Sequence, residues 1–198
     1  MPITQSASDQ FTQLVRQRTR KSHDELEHIM SARLSCSELT VYRQWLLELF
    51  SVWAPLEQCL HDSSLFSEHP YLKLLLRSER LQEDLGVLFG DDFKAEGVRY
   101  ADFSEIKSTP ASLYGLAYVW AGSIHGAQVL AQRLRNGLSL TASTGGSFFM
   151  LDDPQACRAA LMRFYGWLDE NLSAVEASSA VESAQQTYQI FLDWYQRP

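Results

Sequence analysis

The opening segment of the chain carries residue types that can bind a metal-containing ligand. Thr19, His23 and Glu27 follow one another at steps of four residues. Because residues four apart lie on one face of an α-helix, this spacing places an imidazole between side chains that can orient its second nitrogen. The pattern indicates either a histidine that binds a metal inside a helical bundle or a structural histidine satisfied by its neighbours.

A second pattern is a pair of glycines inside a strongly apolar stretch. Gly122 and Gly126 lie four residues apart, and each costs a helix about 1 kcal/mol relative to alanine. A missing side chain lets a second helix pack closely, or lets the backbone approach a bulky ligand and bend. The small neighbours Ser123 and Ala127 widen the gap and favour a ligand-binding face.

Basic residues cluster near the amino end, although the formal net charge of the chain is −7. The members of this basic cluster are Arg16, Arg18, Arg20 and Lys21. Such a run is either a solvated helix surface or part of an anion site. Arg16 precedes His23 by seven residues, about two helical turns, so it can pair an anionic group of a ligand that His23 holds. Arg158 and Arg163 are further candidate anion partners.

The composition favours helices as the elements that position these residues. The chain of 198 residues contains 28 Leu against 9 Val and 5 Ile, and Gly and Pro number only 10 and 6. Unbranched side chains lose little rotamer freedom in a helix, and turn-forming residues are scarce. With 45% hydrophobic residues and a net negative charge, the chain is neither disordered nor a nucleic-acid binder that uses a basic surface.

Apolar periodicity and capping residues predict an all-α, single-domain bundle of seven or eight helices over 1–198, with 1–8 flexible. The first helix is expected at 8–31, and the second begins after Ser35 or Ser37 and bends at Pro55. Thr109 before Pro110 starts a long helix that ends near Asn136. The other expected helices are 71–77, 79–89, one that begins after Asp152 and Asp153, and 175–195.

Targeting signals are not found in the sequence. The first ten residues are polar, and no run of eighteen apolar residues could span a membrane. Cys36, Cys59 and Cys157 form no CxxC pattern, which suits reduced thiols. We therefore expect a cytoplasmic protein that binds neither membrane nor nucleic acid.

Taken together, these segments resemble the haem oxygenase family, especially its bacterial members. RTRKSHDELEHIM resembles the proximal helix of that family, and YVWAGSIHGAQVL resembles its glycine-containing distal helix. VYRQWLLELFSVWAPLEQCL resembles the second helix, and TYQIFLDWY the carboxyl-terminal one. The order and spacing of these motifs cover most of the chain, and they imply the haem-oxygenase-like multihelical fold.

The resemblance also implies roles for individual residues. His23 becomes the axial ligand of the haem iron, and Gly122 and Gly126 become the distal backbone that approaches the haem face. Ser123 matches the GS form of the bacterial distal motif. Arg16 and Tyr118 are implied contacts of the haem propionates. The remaining predicted haem-site residues are Glu27, Arg158 and Arg163.

The implied reaction is the oxidative cleavage of haem b, both substrate and cofactor, to biliverdin, with release of CO and Fe2+. The reaction consumes O2 and external electrons. No segment resembles a flavin, nicotinamide or iron–sulfur motif, so a reductase or ferredoxin partner is implied, and the basic cluster is its candidate docking surface. The GS motif looks more like the subgroup whose biliverdin is accepted by a bacterial phytochrome.

One residue departs from the family pattern. His125 stands inside the distal motif, where a small or aliphatic residue is more usual, and a histidine on the iron would block oxygen. Gly122 and Gly126 share a helix face, whereas His125 lies about 60° from Gly122 around the helix. We therefore expect His125 at the pocket edge or facing solvent.

Two alternatives remain at the level of sequence. The first is a haem- or bilin-binding protein without turnover, which His125 would explain. The second is a di-iron oxygenase on a similar bundle, because Glu25 and His28 have the spacing of one half-site and Glu57 with His61 could join it. A second Glu-x-x-His is missing.

Overall fold

The computed structural model describes residues 11–33 and 38–197. These residues form eight α-helices joined by loops and short 3₁₀ turns, with no strand within the described ranges. The helices are α1 (Phe11–Arg33), α2 (Leu39–His61), α3 (Leu65–Glu68), α4 (Ser78–Phe89), α5 (Pro110–Gly122), α6 (Ile124–Leu138), α7 (Pro154–Asn171) and α8 (Ala174–Tyr195). The all-α prediction is confirmed. The predicted flexible segment 1–8 and the predicted caps Ser35 and Ser37 lie outside the described residues.

The predicted long helix from Pro110 is in fact two helices that meet at Ser123. The start is as predicted, because the Thr109 side chain accepts a hydrogen bond from the backbone N–H of Ser112. Near Ser123 the backbone bonds shorten from four residues to three: Ser123 N–H donates to Trp120 O and Gly126 N–H donates to Ser123 O. This 3₁₀-type bonding interrupts the α-helical ladder and divides the apolar segment into α5 and α6.

The leucine-rich segment after α3 also differs from its prediction. The expected α-helix at 71–77 is a 3₁₀ helix, Pro70–Leu75. Leu72 and Leu75 are both buried, and a spacing of three places them on one side of a helix with three residues per turn. The following α-helix is close to its predicted bounds and begins at Ser78.

The centre of the bundle is α5, which packs most extensively against α8. Close approach between them depends on small residues. A Cβ added to Gly115 would lie 2.0 Å from the carbonyl oxygen of Ala180, and Ser183 Oγ donates a 2.6 Å hydrogen bond to Ser112 O. The α5–α8 contact therefore holds α5 in place, and α5 in turn positions Ser123 and α6, which follow it in the chain.

Candidate functional site

An apolar cavity lies between α1, α2, α6, α8 and the loop that precedes α7. Its volume is about 150 Å³, and its lining is mostly apolar and aromatic, as in small-molecule and cofactor sites. Leu26 and Met30 of α1 and Gly126 of α6 belong to its lining. The aromatic residues of the lining are Trp45, Trp53, Phe148, Phe149, Phe191 and Tyr195.

His23 continues one lined face of this cavity. It precedes Leu26 and Met30 by three and seven residues, so all three lie on one stripe of α1. On α8, Tyr188 precedes the lining residue Phe191 by three residues, and the His23 and Tyr188 rings meet edge-on with centroids 6.1 Å apart. His23 therefore stands beside one end of the cavity.

Two carboxylates of its own helix lie near the imidazole of His23. Its side chain is 56% exposed, and Nδ1 lies 3.5 Å from Asp24 Oδ1 and 4.0 Å from Glu27 Oε2. Among the described residues, Nε2 has no hydrogen-bond partner. Sequence analysis missed Asp24, although an acid directly after the histidine was a visible signal. Thr19 does not take part, because it is buried and its hydroxyl donates to Val15 O at 2.8 Å.

The two glycines of the distal motif serve different purposes. A Cβ on Gly122 would lie 3.0 Å from the Tyr165 hydroxyl oxygen, so this glycine permits close packing against α7. A Cβ on Gly126 would meet nothing within 4 Å, and Gly126 lines the cavity together with Ser123. Each of the two explanations offered for the pair thus applies to one glycine.

A cationic neighbourhood formed by Arg16 of α1 and Arg158 of α7 lies beside the Tyr118 and His125 side chains. The Tyr118 ring stacks on Tyr165 with centroids 4.9 Å apart. Burial raises the pKa of Tyr118, nearby Arg16 opposes that rise, and the carboxylate of Asp169 adds to it. Burial and the charges of Arg158 and Arg16 lower the pKa of His125. Of the predicted residues, Arg16 therefore lies near Tyr118, and Arg16 and Arg158 both lie near His125.

His125 belongs to this cationic neighbourhood and not to the cavity lining. Its side chain is exposed on the first turn of α6, whereas the lining residues of that helix include Gly126, Ala127 and Leu130. This position agrees with the expectation that His125 lies at the pocket edge or faces solvent.

Arg163 is not brought to the same neighbourhood. Its guanidinium carbon lies 4.2 Å from the centroid of the Tyr71 ring, beside the buried His69, whose ring packs 4.4 Å from that of Trp167. Arg163 follows Arg158 by five residues, and this spacing turns the two side chains to different faces of α7. It therefore belongs to a cation–π contact with the segment before α4.

Arg77 is a cavity residue that sequence analysis missed. It is only 2% exposed, it lines the cavity, and its Nη2 donates to Ser123 Oγ. Its guanidinium carbon lies 5.0 Å from the Trp53 ring centroid and 4.5 Å from that of Phe148. Burial lowers the pKa of Arg77 to about 10, with Glu57 opposing the shift. Arg77 therefore remains positively charged at neutral pH.

Glu57 holds this region together. Its Oε1 accepts hydrogen bonds of 2.8 Å from the indole N–H groups of Trp53 and Trp120. The backbone N–H groups of Arg77 and Ser78 donate to the same carboxylate, the shortest of these bonds being 2.8 Å from Ser78. One buried carboxylate thus joins α2, the start of α4 and α5.

These contacts argue against the di-iron alternative. The Glu57 carboxylate already accepts hydrogen bonds from four N–H donors of the protein, and Glu25 and His28 are exposed on α1. Within the described part of the chain, the one group of three or more side chains placed to hold a metal ion is His23 with Asp24 and Glu27. A single histidine with two exposed acids is not a carboxylate-rich di-iron site.

Comparison with known proteins identifies a family model that matches nearly the whole chain. The family model described as heme oxygenase matches residues 9–197. No curated protein sequence matches the chain significantly. None of the described helices is both long and apolar enough to cross a membrane.

Similar solved structures include three bacterial heme oxygenases. The enzyme from Leptospira interrogans is 20% identical, with a TM-score of 0.76 over 94% of this chain and 98% of that one. The NO- and CO-bound enzyme from Neisseria meningitidis is 17% identical, with a TM-score of 0.77 over 96% and 92%. Heme oxygenase-1 of Synechocystis in complex with heme is 19% identical, with a TM-score of 0.68 over 94% and 90%. These likenesses concern the fold, and the family model, which spans nearly the whole sequence, shows that the chain belongs to the heme oxygenase family.

Proposed function

We propose that haem binds in the cavity between α1 and α6, with His23 Nε2 as the axial ligand of its iron. As a member of the heme oxygenase family, the protein is an enzyme that degrades haem, its substrate and cofactor, to biliverdin. The observation that carries the proposed site is the stripe of His23, Leu26 and Met30 along the apolar cavity. Gly126 adds no side chain to the α6 side of the cavity, and the space beside it is open for a ligand.

Bound haem supplies the iron at which O2 is activated and the ring that is opened, with CO and Fe2+ released. The residues of the chain supply orientation and a dry environment. Asp24 and Glu27 face Nδ1 of His23, and an N–H at Nδ1 leaves the Nε2 lone pair free for iron. The apolar and aromatic lining excludes water from the rest of the cavity.

The cationic neighbourhood around Tyr118 is the proposed partner of the haem carboxylates. Arg16 and Arg158 are exposed and form no ion pair within the described residues, so both are free to bind an anionic group. The Tyr118 hydroxyl can donate a further hydrogen bond, because its raised pKa keeps it protonated. Carboxylates bound there would leave the apolar body of the ring for the cavity.

The test is a titration of the purified protein with hemin, followed by a reductant in air. We expect a Soret band that His23→Ala abolishes and that His28→Ala leaves unchanged, since His28 is a second exposed histidine on α1. Addition of reductant should then replace the Soret band by the spectrum of biliverdin. A Soret band that persists in His23→Ala contradicts the proposed ligand, and a stable band without conversion contradicts turnover.

The enzyme needs an electron donor, and we propose that a reductase or ferredoxin docks on the basic cluster. Arg18, Arg20 and Lys21 are exposed on α1, close to the proposed haem ligand, and an acidic donor would be attracted to them. Arg18→Glu with Lys21→Glu should slow turnover and weaken its dependence on salt. Arg133→Glu with Arg135→Glu on α6 is the matched control. Equal rates for both double variants would exclude this docking surface.

Two finer proposals concern the cellular setting. We propose that the enzyme works in the cytoplasm, because Cys59 and Cys157 are free thiols and suit a reducing compartment. We propose a bacterial phytochrome as the acceptor of biliverdin, on the basis of the GS motif at Gly122 and Ser123. Cell fractionation tests the first proposal. Assembly of a coloured phytochrome in cells that express both proteins, lost with His23→Ala, tests the second.

A further inference from the structure

The hydrogen-bond donors at the Ser123 side of the cavity come from Arg77. The Ser123 hydroxyl has one hydrogen, which it donates to Trp120 O at 2.6 Å, and its oxygen accepts from Arg77 Nη2. Ser123 therefore has no proton left for a ligand. The guanidinium of Arg77 carries five N–H bonds, and one of them, at Nε, is buried without an acceptor.

The guanidinium has little freedom to turn away from the cavity. Trp53 and Phe148 flank it at 5.0 and 4.5 Å. The backbone N–H of Arg77 donates a hydrogen bond to the Glu57 carboxylate, which also accepts one from the indole N–H of Trp120. Trp120 lies three residues before Ser123, so Glu57 anchors both the backbone of Arg77 and the helix that leads to its hydroxyl partner.

We propose that Arg77 is a fixed cationic donor toward ligands bound at the haem iron, and that Glu57 is the residue that positions it. This inference rests on the proposed haem site. A charged donor in an apolar cavity favours a small anion or a lone pair much more than it would in water. Because the Arg77 side chain is already held in position, it also needs no reorganisation when the ligand binds.

The binding of fluoride to the ferric haem complex tests the proposal, because fluoride accepts hydrogen bonds and donates none. Loss of a charged hydrogen bond weakens binding by about 10- to 100-fold. We expect that change in the fluoride dissociation constant of Arg77→Met and a smaller change in Arg77→Lys. Arg80→Met is the matched control, since Arg80 lies three residues after Arg77, in α4, and pairs with Asp152 outside the cavity. It should bind fluoride as the unchanged protein does.

Ser123→Ala separates the two candidate donors. If Arg77 is the donor, this variant keeps or increases fluoride affinity, because it frees Nη2 from its present acceptor. A fall in affinity equal to that of Arg77→Met would assign the role to Ser123 and overturn the proposal. Circular dichroism of each variant shows that the helices are retained.

A double-variant cycle tests the positioning role of Glu57. Glu57→Gln keeps the shape of the side chain but loses its charge. If Glu57 acts through Arg77, Glu57→Gln weakens fluoride binding in the unchanged background and has no further effect in Arg77→Met. Additive losses indicate a purely structural Glu57 and contradict the positioning role.

The outcomes separate this inference from the proposed function. Failure of the haem site appears as a Soret band that does not depend on His23. Failure of the present inference appears as a normal His23-dependent Soret band together with equal fluoride affinities for Arg77→Met and the unchanged protein.

Discussion

The two sides of the cavity are held in opposite ways. On the α1 side, His23 is more than half exposed, and the carboxylates that lie near it, Asp24 and Glu27, belong to its own helix. On the other side, Arg77 and Glu57 are each 2% exposed, and their partners come from α2, α4 and α5. One side is assembled by local sequence, and the other by contacts between distant segments.

The difference follows from the cost of burying charge. A buried cation or carboxylate is tolerated only when several hydrogen bonds compensate its lost hydration, so the Arg77 side must be rigid before a ligand arrives. An exposed histidine pays no such cost and needs only the right helix face. We therefore expect the free energy of unfolding to depend strongly on the Arg77 side of the cavity and weakly on the His23 side.

The largest effect is expected from Glu57→Ala. This change leaves four N–H donors without their acceptor and removes the carboxylate whose charge favours the buried cation of Arg77, so it should lower the free energy of unfolding by about 3–5 kcal/mol. Urea denaturation measures the loss. Glu57→Gln should cost less, since its amide oxygen still accepts. A loss below about 1 kcal/mol for Glu57→Ala would show that the Arg77 side of the cavity does not depend on this network of hydrogen bonds.

Glycine replacements on α5 and α6 should give opposite results. Gly115→Ala places a methyl group 2.0 Å from Ala180 O, and such overpacking destabilises by about 1–3 kcal/mol or more. Gly126→Ala has open space and should leave stability unchanged or raise it by up to about 1 kcal/mol. Hemin titration should show weaker binding for Gly126→Ala. Equal stability losses would refute the distinction between packing glycine and cavity glycine.

The buried histidine His69, which packs between α5 and α7, should make the stability of the protein depend on pH. His69 is 3% exposed with Nε2 lacking a partner, and burial lowers its pKa below the ordinary 6.5, with Glu68 opposing and Arg163 assisting. The unfolded chain therefore binds the proton more tightly than the native one.

Neutral His69 therefore favours the folded state. The full stability is present above about pH 6.5, the pKa of an unfolded histidine, and it declines as the pH falls through the lower pKa of His69 in the native state. Urea denaturation at several pH values below 6.5 should show this decline, and His69→Gln should reduce its slope. An unchanged slope would mean that other groups govern the acid response.

The smallest effect is expected from His23→Ala. The side chain is 56% exposed, and exposed substitutions usually change the free energy of unfolding by less than about 0.5 kcal/mol. Thermal unfolding without haem should therefore hardly change, whereas the hemin titration loses its Soret band. A large loss of stability would show that His23 is structural, which is the alternative that its spacing also allowed.

Sequence reasoning succeeded where the cause was local. The periodicity of α1 and the Thr109–Pro110 start of α5 depend on neighbouring residues, and both are found in the structure. It failed at Ser123, where a hydroxyl and two three-residue backbone bonds divide a segment that periodicity alone joined. It also placed an α-helix at 71–77, where the chain forms a tighter 3₁₀ helix.

The site divides along the same line. The spacing of His23 and of the two glycines pointed to a ligand-binding pair of helices, and the family model supports the haem oxygenase interpretation. Arg77 went unnoticed because it follows an unremarkable run of leucines, and its partner Ser123 is 46 residues away. The bond between Glu57 and Trp120 spans 63 residues, and no local pattern signals it.

The sequence by itself therefore determined the helical class, the family and the residues that one helix face presents, such as His23. The tertiary structure decided which glycine packs against Tyr165 and which lines the cavity, that Arg163 contacts Tyr71, and that Arg77 is a buried charge. Helical spacing sets only the direction of a side chain. Burial, hydrogen-bond partners and pKa depend on which distant segment lies opposite, and that is a property of the packed bundle.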